Sequence, residues 1–268
     1  YTSGDVYENT ENLALINRWS ATQQYISRGF VYPFIYSIQS AVVKPPEDYD
    51  EEAARQELFN NDYDDIPENE KLNVVAVMLE AFNDFSKFDE IEFAQDLYAP
   101  WHELQEKSYS GELITNIFAG GTVDTEWTFL TGYTGIGDYR TDVNSYVRYF
   151  KEQGYYTEGS HPCYGWFYNR QNVCRYLGFD NYYFYENRYY ELSGGIAEDR
   201  ILFPEIIKLY EEHVNDRDDP YFCFNVTYQN HGPYPADKVL YDTQYVVDRG
   251  YTEETRNILN NYLGGIAD

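Results

Sequence analysis

The chain has 268 residues, 43% of them hydrophobic, a mean hydropathy of −0.65 and a formal net charge of −27. That length supports a sizeable core, while 19 Lys+Arg against 46 Asp+Glu argue against a broad nucleic-acid face, since phosphate backbones need clustered cations. No run of about 18 apolar residues is available to cross a bilayer as a helix.

Tyr1 opens a polar stretch with neither a basic nor an apolar leader, so the sequence is expected to begin downstream of any targeting segment. From Asn12 to about Val43, Leu13, Leu15, Ile16, Trp19, Tyr25 and Ile26 recur at three- and four-residue steps and predict a helical lead-in. Pro45 and Pro46 end it. An acidic arm follows from Glu47 to Glu70, with one short helix near Glu51 to Phe59. Residues 1–70 are thus read as a lead-in and residues 71–268 as the main domain.

Leu72 to Leu79 (LNVVAVML) is a Val-rich apolar run, as expected for a strand buried on both faces of a parallel sheet. Next come a helical stretch over Phe93 to Lys107, a short strand near Gly111 to Ile117, a turn at Gly120 and Gly121, and a helix over Val123 to Thr131. Helices are predicted over Val143 to Gln153, Phe167 to Leu177, Glu198 to Val214 and Glu253 to Ala267. Strands are predicted at Tyr155 to Gly159, Asn181 to Tyr185 and Tyr221 to Thr227. The alternation defines an α/β fold with a mostly parallel central sheet.

Cys163, Cys174 and Cys223 are too few and too irregularly spaced for a disulfide scaffold or a zinc site. Cys163 and Cys174 could pair if the fold brings them together. The 31 tyrosines suit surfaces that bind sugars, lipid headgroups or proteins, or reflect a compositional habit of the source.

Open parallel sheets bind ligands beyond the carboxyl ends of their strands, and three features lie at such places. Glu80 directly follows the first apolar run, where a carboxylate can take a hard metal ion or simply end a strand. Thr122 follows two glycines at a helix start, where backbone N–H groups and the helix dipole favour a phosphoryl oxyanion. It could cap the helix, or attack phosphorus in line and form a phosphothreonine ester. His231, in Asn230-His231-Gly232-Pro233-Tyr234, follows the last strand and could donate to a phosphate oxygen. His161, with Tyr168 and Arg170 downstream, offers an imidazole, a ring and a guanidinium that together suit a glycerol phosphate headgroup. His102 and His213 read as structural.

The segments NVVAVMLEAF (73–82), GGTVDTEW (120–127), 161–170 with LGFD (177–180), and NHGPY (230–234) resemble the lipoteichoic acid synthase family, within the sulfatase and alkaline phosphatase superfamily. All four stand in family order, and the match runs from the lead-in helices through Asp268. The resemblance implies a sulfatase-like α/β domain of a membrane-anchored, extracellular phosphoglycerol transferase. Such an enzyme moves glycerol phosphate from phosphatidylglycerol to a lipid- or glycan-linked acceptor, using Mn2+ or Mg2+. It makes Thr122 the nucleophile, Glu80 and Thr122 metal ligands, and His161, Tyr168, Arg170 and His231 substrate contacts. Tyr168 stands where the family commonly has Trp. The family completes its metal site with an Asp-His pair on a later strand; none occurs before Asp268, so the catalytic domain is expected to be C-terminally incomplete here. Other phosphodiester chemistry of the superfamily, or a non-catalytic module that binds glycerol phosphate polymers, are the alternatives. Sulfate ester hydrolysis lacks support, because no cysteine sits in a Cys-x-Pro-x-Arg context.

Overall fold

The computed structural model describes residues 25, 29–31, 34, 35, 38, 45, 47–60, 64–114, 121–133 and 139–268. The predicted lead-in helix and the Gly120 half of the glycine turn lie largely or wholly outside them. Contacts divide the chain into two units, residues 72–165 with 171–268, and residues 1–71 with 166–170.

In the smaller unit, α1 (Glu51–Asn60) is an exposed acidic helix. Its start is fixed by the Asp50 carboxylate, which accepts from the Ala53 N–H at 3.0 Å. The segment 166–170 forms a tight 3-10 turn over Phe167–Asn169, with Tyr168 and Asn169 at φ of 54° and 56°. A continuous helix from Phe167 was expected, and these left-handed residues break it.

The larger unit is built on β1 (Val74–Met78), α2 (Ala99–Glu106), α3 (Thr122–Thr131), α4 (Tyr146–Glu152), β2 (Tyr156–Ser160), α5 (from Arg170 to Leu177), β3 (Asn181–Tyr183), α6 (Tyr190–Ser193), α7 (Asp199–Asp216), β4 (Tyr221–Val226) and α8 (Glu253–Ala267). The strands pair in parallel in the order β1-β4-β2-β3. This is the α/β architecture the alternation predicts. The short strand expected at Gly111 to Ile117 is not formed over residues 111–114, and the rest of it is undescribed.

β4 explains the layering. Its side chains alternate across the sheet, so Phe222 stacks on Phe150 of α4 at 4.5 Å and Phe224 on Phe129 of α3 at 5.9 Å. Tyr221, on the opposite face, meets His213 of α7 at 4.7 Å. Helices therefore cover both faces, and β4 is buried along its whole length. β1 differs from expectation: in this sheet it is an outer strand, and Leu72 and Val75 are 75% and 45% exposed.

Two features of this sheet hold it closely together. A Cβ on Gly159 would lie 2.3 Å from the Phe224 carbonyl oxygen, so only glycine lets β2 and β4 approach as they do. Glu158, predicted merely as part of a strand, is 2% exposed and accepts from the Tyr221 hydroxyl at 2.5 Å. Burial raises its pKa above the ordinary carboxylate value.

All three cysteines remain buried thiols, so no disulfide joins Cys163 to Cys174. His102 and His213, read as structural, each have a hydrogen-bond partner. His102 Nε2 lies 2.8 Å from Asp84 Oδ2, and His213 Nε2 donates to the Asp219 carbonyl at 2.8 Å.

Candidate active site

The carboxyl end of β4 is the hub of the site. Thr227, the residue after β4, donates its N–H to the Met78 carbonyl at 3.0 Å and extends the pairing with β1. Its hydroxyl oxygen accepts from the Glu80 N–H at 2.8 Å. Glu80 is thereby fixed at the carboxyl end of β1, half-buried. Its negative charge, after burial, contributes to raising the pKa of the Tyr234 phenol.

His161 follows β2 and is 3% exposed. Its Nδ1 donates to the Val226 carbonyl at 3.2 Å, and its ring meets Tyr228 edge-on at 5.9 Å. Tyr228 in turn stacks on the exposed His231, with ring centroids 4.8 Å apart and planes 3° from parallel. His231 Nδ1 donates to the Gly232 carbonyl at 2.6 Å, which leaves Nε2 as the ring nitrogen opposite that bond. Residues 226–231 thus hold the Glu80 main chain and the His161 ring, and carry His231.

Thr122 is the first residue of α3, and its N-cap is Gly121 at φ 71°. The left-handed glycine lets the chain enter the helix abruptly. The Gly121 carbonyl accepts from the Asp124 and Thr125 N–H groups at 2.9 and 3.2 Å. The N–H groups of Thr122 and Val123 precede the first intrahelical bonds, so this end of α3 has the polarity that favours an anion. Tyr168 and Arg170 lie on the segment 166–170 of the smaller unit. Arg170 is 3% exposed.

The loop after His231 has little regular structure, yet α8 fastens it through asparagine side chains. Asn257 donates to the Ala236 carbonyl at 2.9 Å. Asn260 donates to the Thr243 carbonyl and accepts from the Tyr245 N–H. Asn261 donates to the Pro235 and Lys238 carbonyls, both at 2.9 Å, and accepts from the Leu240 N–H at 2.7 Å. Sequence reading missed Tyr228, Thr227 and this asparagine stripe. Only the stripe left a signal, because three asparagines at i, i+3 and i+4 occupy one helix face.

The larger unit thus combines a two-sided parallel α/β sheet with an acidic residue, a helix-start threonine and histidines near its strand ends. Residues 72–268 match the Sulfatase family, and the chain belongs to it. The chain is 30% identical over 261 residues to a putative cyclic beta-1,2-glucan modification protein of Rhizobium meliloti, covering 93% of this chain and 39% of that protein. Among solved structures it is similar to the lipoteichoic acid synthase LtaP of Listeria monocytogenes (TM-score 0.58, 22% identity, 73% of this chain and 48% of that one). It is also similar to the Streptococcus pyogenes phosphoglycerol transferase GacH, solved with sn-glycerol-1-phosphate (TM-score 0.60, 18% identity, 84% and 63%). The chain therefore spans less than two thirds of each of these relatives, and at such identities the two structures speak for the fold.

Proposed function

We propose that this domain transfers glycerol phosphate from phosphatidylglycerol to a lipid- or glycan-linked acceptor, through a covalent phosphate ester on Thr122. The observation that supports the reading is that residues 226–231, at the carboxyl end of β4, hold the Glu80 main chain and the His161 ring and carry His231, in a fold whose α3 opens on Thr122. The name of the Rhizobium relative favours a glycan acceptor.

Glu80 and Thr122 offer a carboxylate and a hydroxyl, hard oxygen donors of the kind that suit Mn2+ or Mg2+. Among the described residues no three His, Cys, Asp or Glu side chains gather as a metal cluster, so these two would be part of a larger ligand set. Such an ion, when bound, supplies Lewis acidity that eases ionisation of a hydroxyl and neutralises phosphoryl charge.

Thr122 Oγ1, once its proton is lost, attacks phosphorus in line. The bond from phosphorus to the diacylglycerol oxygen breaks, and that oxygen takes up a proton as it leaves. The N–H groups opening α3 stabilise charge on the phosphoryl oxygens. His231, stacked on Tyr228 and exposed, is suited to donate to the substrate or leaving oxygen. The family resemblance alone assigns Arg170 and Tyr168 to the headgroup; His161, in the larger unit, is fixed in orientation by its bond to Val226. In the second half-reaction an acceptor hydroxyl attacks the same phosphorus and frees Thr122. A donor of this class implies work at a membrane surface, and the family resemblance implies the extracellular side.

The test is diacylglycerol release from phosphatidylglycerol vesicles in manganese buffer. Thr122→Ala should abolish it, and undiminished release would remove Thr122 as nucleophile. Arg170→Ala should weaken glycerol phosphate binding more than Mn2+ binding. Glycerol phosphate binding by the natural full-length protein without any turnover would instead favour the binding-module reading.

A further inference from the structure

Glu80 is followed by a residue in a conformation that needs support. Ala81 has φ 55°, in the left-handed region, which costs an L-residue with a Cβ about 1 kcal/mol or more. That turn sets where the chain goes immediately after Glu80.

Two donors converge on the Ala81 carbonyl. Asn230 Nδ2 reaches it at 3.2 Å, and the Tyr262 hydroxyl of α8 lies 3.1 Å from it and 3.3 Å from the Asn83 carbonyl, sharing its one proton between the two. On the other side of Glu80, its own N–H is held by Thr227. Asn230 is 7% exposed and is itself confined: its carbonyl accepts from Tyr234 Oη at 2.5 Å, and a Cβ on Gly265 would lie 2.3 Å from its Oδ1.

We propose that Asn230 is the positioning residue for Glu80: its amide, assisted by Tyr262, holds Ala81 left-handed and so aims the Glu80 carboxylate. This rests on the reading of Glu80 as a metal ligand. Asn230 stands beside His231 in the sequence but acts on the β1 end. Supporting hydrogen bonds of this kind are worth 10–100-fold in metal affinity in other metal sites.

The experiment measures Mn2+ affinity by titration calorimetry on the natural full-length protein, alongside thermal unfolding. Asn230→Asp keeps the shape but turns an oxygen toward the Ala81 carbonyl, and should weaken Mn2+ about ten-fold. Tyr262→Phe, which removes one hydroxyl, should weaken it by about two- to five-fold and serves if Asn230→Asp fails to fold. Asn261→Asp, in an equally buried asparagine that serves the 235–240 loop, should lower stability and leave Mn2+ affinity within two-fold. Unchanged affinity in both Asn230→Asp and Tyr262→Phe, or an equal loss in Asn261→Asp, overturns the proposal. Glu80→Gln separates the two readings: if it leaves Mn2+ binding intact, Glu80 is not a ligand, whereas a loss there with none at Asn230 defeats only the positioning role.

Discussion

Tyr228 and His231 lie ring on ring, 4.8 Å between centroids and 3° from parallel, while the edge of Tyr228 faces His161 at 5.9 Å. One tyrosine thus sets the spacing of two histidines that come from different strand ends. Each aromatic contact is worth about 0.5–1.5 kcal/mol. Tyr228→Ala should therefore raise the KM for the glycerol phosphate donor by about ten-fold, whereas Tyr228→Phe, which keeps the ring, should stay within two-fold. Similar losses in both variants would show that the hydroxyl, and not the stack, is what matters.

Asp199, at the first turn of α7, is pushed up to about 6 by burial and by the nearby Asp268 carboxylate. Its folded pKa lies above the unfolded value near 3.8, so the folded state holds the proton more tightly. Stability from this group is fully present below about pH 4 and declines as pH rises through about 6. Asp199→Asn should raise the unfolding free energy at pH 7.5 by about 1–2 kcal/mol, allowing for screening of a partly exposed group, and should give no gain at pH 3.5. Denaturant titrations at the two pH values check it, and an equal gain at both would refute the assignment.

Burial pushes the Cys223 thiol up to about 12, and Cys163 and Cys174 are buried as well. A maleimide at pH 8 should leave the folded protein unlabelled within the time that labels all three thiols in 6 M guanidinium, since the reagent needs an accessible thiolate. Rapid labelling of the native protein, located by peptide mass mapping, would contradict the packing around that cysteine.

Gly159→Ala should destabilise by about 2–3 kcal/mol, because the new methyl group meets a carbonyl oxygen on one neighbouring strand and the Tyr182 ring on the other. Gly194→Ala is the contrast: its φ of 65° strains the backbone, but open space surrounds it, so about 1 kcal/mol is expected. Thermal melts that rank the two the other way would contradict the close approach of β2 and β4.

The sheet was legible wherever side chains advertise it. Val74 to Met78 and Tyr221 to Val226 are apolar runs that read as strands, though only the second is covered along its length, and Thr122 stands out because a glycine precedes it at a helix start. Glu158 was invisible as a core residue, since a glutamate in YTEGS looks solvent-facing until the partner hydroxyl of Tyr221 is known. Tyr228 was hidden among 31 tyrosines, because its neighbours are 67 residues before it and three after. The exposure of β1 depends on strand order, which local pattern does not encode. The positive φ at Tyr168 and Asn169 is likewise imposed by tertiary context against local preference.

The asparagine stripe on α8 grips the 235–245 loop by its main chain: every bond from Asn257, Asn260 and Asn261 ends on a carbonyl or an N–H. Any residue but proline offers those groups, so Asp237, Lys238, Val239 and Leu240, all exposed, can be exchanged without loosening the anchor. The stretch downstream of His231 is in this sense a replaceable cassette. Its surface chemistry can be rewritten while the frame behind it stays the same.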